Sequence, residues 1–102
     1  MTAGDFRFDA ELLAEARLGI VTALLAREGA TFSELKALLG LTQGNLGAHL
    51  ARLEAAGYVG VTKAFVGRRP RSTVQLLPAG REAFRRHLDH LQRLAEGDAA
   101  RP

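Results

Sequence analysis

The polar residues after Thr42 have the side chains needed to read the edges of nucleic-acid bases. Gln43 and Asn45 carry amides that donate and accept together, and Arg52 carries a guanidinium group. An amide can pair with an adenine edge in the major groove of DNA, whereas an arginine can pair with guanine or bind a phosphate. The alternative is that these amides only satisfy backbone groups at the start of a helix.

Two glycines in the same segment, Gly44 and Gly47, favour a close approach of this backbone to another molecule. Glycine costs about 1 kcal/mol relative to alanine inside a helix, so a helix with two glycines gives up stability. Genome composition is the alternative explanation for both. His49 also has two interpretations, since it can donate to a phosphate or be half-buried and bonded to the backbone.

A second basic group lies in the segment Val66-Gly67-Arg68-Arg69-Pro70-Arg71. Gly67 and Pro70 are typical of a turn, so the segment predicts three guanidinium groups on a narrow hairpin tip. Such a tip can enter a minor groove, where the negative potential favours arginine. A solvated basic loop is the alternative, although the turn has no acidic residue to neutralise it.

The charge distribution and the composition narrow the function classes. The net charge is +3, yet residues 57–86 contain seven basic residues against one acidic residue, which favours a polyanionic partner. Cysteine is absent, which excludes disulfides, thiolate metal ligands and cysteine nucleophiles. The serines lie in no nucleophile motif, the acidic residues are scattered, and the sequence has no glycine-rich motif of the kind that binds phosphate. We therefore expect that the protein is not an enzyme.

Metal binding and membrane association are not expected either. His87 and His90, with Asp89 between them, could supply two metal ligands, but two ligands do not make a site. We therefore expect no metal and no cofactor, and we expect this pair on an exposed helix face. No apolar stretch approaches the roughly 18 to 20 residues of a membrane span, and no secretory signal is evident, so the expected location is the cytoplasm.

The outer elements that must position these residues are two amphipathic helices. The first is predicted from Asp9, as N-cap, to about Glu28, and it is apolar on two faces. A last helix after Pro78 carries another apolar stripe. A domain this small needs a partner to cover such faces, so a homodimer is expected. The expected interface residues are Leu12, Leu13, Phe84, Leu88, Leu91 and Leu94.

Two shorter helices lie between the outer ones. Thr31 and Glu34 fit a capping box that begins a helix over residues 33–39, and a short strand is expected near Thr31-Phe32. After Gly40, Thr42 is a good N-cap for a helix over about residues 43–56.

A hairpin completes the predicted domain. Two β-rich runs, residues 58–66 and 72–77, flank the Gly/Pro turn. The fold class is therefore mainly α with a small β-hairpin (α+β), in the order α-α-α-β-β-α. The length predicts one domain over residues 1–102, ordered over about 6–96.

Two helices joined by a tight turn and followed by a basic hairpin form a winged helix-turn-helix. The sequence resembles the small stand-alone winged-helix regulators related to the MarR and ArsR families. The resemblance spans roughly residues 9–95 and is carried by residues 17–24, 32–36, 41–50, 53–59, 65–72 and 78–81. It implies a bacterial or archaeal transcription regulator that dimerises through its first and last helices. Leu77 replaces the threonine usual before the family's Pro-Ala-Gly, so the last helix is expected to lack a side-chain N-cap.

We therefore expect sequence-specific binding to double-stranded DNA, with helix 43–56 in the major groove and wing 66–71 in the minor groove. The expected DNA-binding residues are Thr42, Gln43, Gly44, Asn45, Gly47, Ala48, His49, Arg52, Lys63, Arg68, Arg69 and Arg71. A winged-helix protein-interaction module and a non-specific architectural DNA-binding protein are the alternatives. A small-molecule effector, if one acts on this protein, is expected to bind in the crevice between the first and last helices.

Overall fold

The computed structural model describes residues 9–12 and 14–97. A three-residue 3-10 turn, Ala10–Leu12, comes first. The helices are α1 (Glu15–Leu25), α2 (Phe32–Leu39), α3 (Gln43–Ala55) and α4 (Pro78–Ala95). The strands are β1 (Ala30–Thr31), β2 (Val59–Val66) and β3 (Arg69–Leu76), and they form one antiparallel sheet in the order β1-β3-β2. The predicted order of elements is confirmed, including the short strand beside Thr31.

The beginning of the chain differs from the prediction. Asp9 does not cap α1; its Oδ1 accepts a hydrogen bond of 2.9 Å from the Glu11 backbone N–H and so caps the 3-10 turn. The helix α1 starts only at Glu15 and ends at Leu25, earlier than predicted. It ends early because Gly29 lies against β3, where an added Cβ would be 3.2 Å from the Thr73 methyl group. The chain must already be extended there to enter the sheet.

The core lies between the three short helices and the sheet, and it uses both apolar faces of α1. Ile20, Val21 and Leu24 are all fully buried, so this subunit itself covers the face that was predicted to need a partner. Leu12 is also fully buried, which corrects its assignment to a dimer interface. Leu13 lies outside the described residues. The buried hydrophobic residues are Leu12, Ile20, Val21, Leu24, Ala30, Leu35, Leu46, Leu50, Leu53, Val59, Val74 and Ala83.

Caps fix the starts of α2 and α3. The hydroxyl of Thr31 accepts a hydrogen bond of 3.0 Å from the Glu34 backbone, and the Glu34 carboxylate accepts one of 2.9 Å from the Thr31 backbone, which confirms the capping box. These bonds hold the pKa of Glu34 below its ordinary value. Gly40 ends α2 with φ of +64°, a conformation that glycine adopts without a steric penalty. Thr42 then caps α3, since its hydroxyl accepts from the Asn45 N–H at 3.1 Å.

The hairpin is tighter than the sequence predicts. Its turn contains only Gly67, with φ of +66°, and Arg68, so β3 starts at Arg69 rather than near residue 72. A two-residue turn with glycine first is one of the favoured hairpin geometries. Pro70 fits inside β3 because β1 pairs only with Thr73 and Val74, which leaves β3 at an open edge around Pro70.

The start of α4 passes close to the beginning of β2. Gly80 is buried, and an added Cβ would clash with the backbone oxygen of Tyr58. Leu77 makes no side-chain cap, as expected, but its N–H donates to the same Tyr58 oxygen at 2.9 Å. Within the described residues, no helix is both long enough and apolar enough to cross a membrane.

Candidate nucleic-acid interface

The exposed face of α3 is nearly flat. Leu46, Leu50 and Leu53 point into the core, and at 100° per residue the opposite side of the helix carries only small residues. These are Gly44, Ala48, Ala51 and Ala55, all exposed. Apart from the neighbouring residues and backbone of α3 itself, no atom of the described residues lies within 4 Å of an added Cβ at Gly44 or Gly47, and neither glycine has a positive φ. The fold itself therefore does not require glycine at these two positions.

Polar side chains flank this flat face on both sides. Gln43 lies toward the wing, and Asn45 and Arg52 lie on the opposite flank, as the helical spacing from the buried leucines requires. All three are exposed, as is Thr42, whose hydroxyl also caps the helix. The face thus combines room for a close approach with amides that can donate and accept.

A basic groove of about 550 Å³ connects α3 to the wing. Gln43 forms one end, Lys36 of α2 contributes an ammonium group, and Arg69 and Arg71 of β3 contribute guanidinium groups. The other residues lining this groove are Thr31, Phe32, Ser33, Val66, Pro70 and Ser72. Among the described residues no carboxylate lines it, so the groove suits an anion. Arg71 also lies near Glu34 and adds to the lowering of the pKa of Glu34, after the larger effect of the bonds to Thr31.

Sequence reasoning missed Ser33 and Lys36 as parts of this groove. Lys36 is the one basic residue of α2, and the first helix of a helix-turn-helix commonly crosses the DNA backbone. That geometry, combined with the charge of Lys36, was an available signal.

The arginines of the wing are distributed differently from the prediction. Only Arg68 lies in the turn, whereas Arg69 and Arg71 are two residues apart on β3 and therefore share a face. The pairing of Lys63 with Ser72 places Lys63 on the opposite face. The basic groups line the length of the ribbon because the strands extend almost to its end, which corrects the prediction of three arginines at the tip.

The end of the wing also carries exposed apolar side chains. Phe65 is 75% exposed and Val66 is 53% exposed. Sequence reasoning did not single out Phe65 as a surface residue. Its position two residues before Gly67 was the available signal, because this end of the hairpin extends beyond the part of the sheet that pairs with β1.

Two of the expected DNA-binding residues on α3 contact side chains of the 3-10 turn and of α1. Arg52 Nε and Nη2 each lie 3.3 Å from a carboxylate oxygen of Glu11. His49 Nδ1 lies 3.2 Å from Nη1 of Arg17, a residue that is only 8% exposed. His49 is therefore half-buried, as one interpretation expected, but its partner is a side chain rather than the backbone. These contacts join residues 41 and 32 positions apart, and no sequence pattern indicates them.

The last helix shows a further difference. His87 is 4% exposed and packs toward the core, so the expectation that His87 and His90 share an exposed face is wrong. The helix turns His87 to the side of Ala83, which is 1% exposed. In the part of the chain that the structure describes, no three His, Asp or Glu side chains cluster in a way that could hold a metal ion.

Neither of two surface cavities matches the expected effector site between the outer helices. One is the basic groove. The other, of about 430 Å³, is mostly apolar and lies beside Leu38 on α2.

Comparison with known proteins places this arrangement among winged helices. The winged helix DNA-binding domain family matches residues 16–95. An uncharacterized protein of Methanocaldococcus jannaschii is 32% identical over 80 residues, which are 78% of this chain and 87% of the relative. The solved structure of a transcriptional regulator homologue from Pyrococcus horikoshii OT3 is 35% identical, with a TM-score of 0.82, over 92% of this chain and 93% of the other. A MarR-family transcriptional regulator from Silicibacter pomeroyi is 29% identical, with a TM-score of 0.66, over 81% of this chain and 55% of its own.

Proposed function

The chain belongs to the winged helix DNA-binding domain family, and we propose that it is a transcriptional regulator that binds double-stranded DNA sequence-specifically as a homodimer. In this proposal α3 enters the major groove, where the amides of Gln43 and Asn45 pair with base edges. Gly44, Gly47 and Ala48 let the backbone of α3 approach closely. The wing lies against the adjacent minor groove.

The basic groove between α3 and the wing is the observation that carries this proposal. One phosphate backbone separates a major groove from the neighbouring minor groove, so a protein that fills both must receive phosphates between its two elements. Lys36, Arg69 and Arg71 line the groove, and none of its described lining residues is acidic. The contacts of these basic side chains with phosphate oxygens would fix the position of α3 along the DNA. The side chains on the exposed face of α3 would supply the sequence preference.

The proposed dimer interface is the outer half of α4. Leu88, Leu91 and Leu94 are 49%, 42% and 36% exposed. Leu91 and Leu94 continue the same side of the helix that buries Ala83 and His87, beyond the point where the subunit has a core to cover them. Phe84 is partly buried against the core and lies beside this stripe. A second copy offers the same stripe by two-fold symmetry, which buries both.

Selection of bound DNA from a random duplex pool by the purified protein tests the function. Enrichment of an inverted repeat with half-sites about ten base pairs apart is the expected result, since two recognition helices of a dimer lie roughly 34 Å apart on DNA. Retention of DNA without enrichment would favour an architectural protein. No retention at low salt would overturn DNA binding and favour a protein-interaction module.

A further inference from the structure

Arg17 of α1 is buried, and its guanidinium contacts both the 3-10 turn and α3. Its Nε donates to the backbone oxygen of Glu11 at 2.8 Å, and its Nη1 lies 3.2 Å from His49 Nδ1. Its Nε also lies 3.8 Å from the Glu11 carboxylate. Only 8% of the residue is exposed, so the guanidinium contacts other residues of the domain rather than DNA.

The chemistry of this contact determines the form of the imidazole. A guanidinium has five N–H donors and no acceptor, so Arg17 can only donate and His49 Nδ1 must accept. A neutral imidazole that accepts at Nδ1 carries its proton on Nε2. The Nε2–H is therefore the donor that His49 keeps for another molecule.

The position of His49 on α3 indicates which molecule that is. His49 lies on the flank that also carries Asn45 and Arg52, rather than in the centre of the flat face. The N-terminal residues of a recognition helix contact base edges, and Asn45 lies in the first turn of α3. His49 lies one turn later on this flank and is half-buried, so we place it against the phosphate backbone rather than against the base edges. A neutral N–H donor on this flank suits a phosphate oxygen.

We propose that Arg17 is a positioning residue for DNA binding, because it holds His49 in the Nε2–H form with that N–H available to a DNA phosphate. The proposal rests on the proposed DNA-binding function. The same guanidinium fixes the backbone of Glu11, whose carboxylate contacts Arg52. One buried arginine thus orders two side chains on the same flank of the recognition helix.

The tautomer is measured first, in the free protein and without DNA. Nitrogen NMR of the imidazole at alkaline pH, where histidine is neutral, separates the two forms. Wild-type His49 is expected to carry its proton on Nε2, and Arg17→Met is expected to produce a mixture of both forms. Arg17→Lys, which keeps a donor and the charge, should restore part of the Nε2–H population. A wild-type imidazole protonated mainly on Nδ1 would overturn the proposal.

Two variants of His49 itself test the contact with DNA, and they keep the test valid if Arg17→Met does not fold. Glutamine places an amide N–H near the position of imidazole Nε2, whereas asparagine is too short to do so. We expect His49→Asn to lower the affinity for the selected DNA about fivefold, the size of one ordinary hydrogen bond. His49→Gln should recover most of that loss. The salt dependence should change little in both, because a neutral donor displaces no counterion.

The two possible failures can be told apart. If wild-type protein binds the selected DNA but both His49 variants bind as tightly as wild type, the positioning role is wrong and the DNA-binding function stands. If the wild-type protein retains no DNA, the proposed function fails and this role fails with it, whatever tautomer is measured.

Discussion

Gly47 lies beside the flat face of α3, on the side that carries Gln43, with open space next to it. Its effect on stability can therefore be separated from its effect on binding. In the part of the chain that the structure describes, an added methyl group at Gly47 meets no atom within 4 Å outside the helix's own backbone and neighbouring residues. Gly47→Ala should therefore raise the free energy of unfolding by up to about 1 kcal/mol, because alanine favours a helix interior over glycine. It should also weaken DNA binding, since the methyl group fills space that the DNA needs. Thermal unfolding and fluorescence-anisotropy titration with the selected duplex measure the two effects.

Gly80, unlike Gly47, is a glycine that the fold itself requires. Gly80→Ala would bring a Cβ against the backbone oxygen of Tyr58, so we expect it to destabilise the domain by roughly 1 to 3 kcal/mol, as overpacking does. Ala51→Gly, one turn further along α3, is the matched control. It makes the opposite change, from alanine to glycine, so it shows how much helix propensity alone changes the free energy of unfolding and the DNA affinity. Gly47→Ala binding DNA as tightly as wild type would show that close approach does not explain this glycine.

Tyr58 makes a pH-dependent contact with the beginning of the chain. Its hydroxyl donates to Asp9, and burial followed by this hydrogen bond raises the pKa of Tyr58 to about 12. Unfolded tyrosine ionises near its ordinary pKa of about 10, so the stabilisation is complete below that pH and is lost as the pH rises toward 12. Tyr58→Phe should lose about 1 kcal/mol at neutral pH and lack this alkaline decline.

The chain contains one tyrosine, so phenolate absorbance reports Tyr58 directly. An alkaline titration of the folded protein gives its pKa, and urea unfolding of both proteins at several pH values gives the difference in stability. Other groups titrate in the same range, and Tyr58→Phe controls for them because it retains all of them. Ionisation at the ordinary pKa in the folded protein would contradict the contact with Asp9.

On α3, local residue patterns predicted which side chains are exposed but could not predict their long-range partners. Gln43 and Asn45 are exposed as expected because the buried leucine spacing fixes their direction. Arg52 and His49 were expected to be available to DNA, yet Glu11 and Arg17 contact them. Which charged residue of one segment meets another depends on tertiary packing, and residue type alone does not contain that information.

At the scale of elements, the wing carries charge that should act on every DNA sequence alike. Arg69→Ala removes one guanidinium from the basic groove, so we expect weaker binding to all duplexes and a salt slope reduced by about one phosphate contact. Arg85→Ala is the matched control, since Arg85 lies on α4 in an ion pair with Glu82 and removes the same charge outside the groove. Affinities measured over a range of salt concentrations give the slope. Equal slopes for both variants would contradict the role of the groove.

Capping residues made the starts of α2 and α3 predictable, whereas Asp9, predicted as the cap of the first helix, caps the 3-10 turn instead. Thr31, Glu34 and Thr42 predicted two helix starts because each side chain has a defined local hydrogen bond. The strand β3 was predicted to start too late, because proline usually argues against a strand and only the sheet order shows that Pro70 lies at an open edge. The edge position of a residue is a property of the whole sheet.

At the scale of the molecule, the order of helices and strands predicted the fold, and the relatives confirm it together with the MarR-like resemblance. The prediction failed in assigning apolar residues between the core and an interface. Leu12 and Leu91 have the same chemistry, yet one is fully buried and the other is 42% exposed. Periodicity identifies an apolar face, but only the assembled domain shows how far along a helix its own core extends.

The domain is elongated, with dimensions of 62 × 24 × 22 Å, and the apolar stripe of α4 continues past its core. A charge at Leu91 should therefore disrupt the proposed dimer with little effect on folding, because this side chain is not part of the buried core. We expect Leu91→Glu to sediment as a monomer, while Gln92→Glu, with the same added charge on the next exposed residue, remains a dimer. The monomer should also bind each half-site of an inverted repeat with the affinity that it has for an isolated half-site. The dimer binds the whole repeat more tightly because its two subunits are linked, and the monomer lacks this gain in affinity. An unchanged sedimentation coefficient for Leu91→Glu would move the interface away from α4.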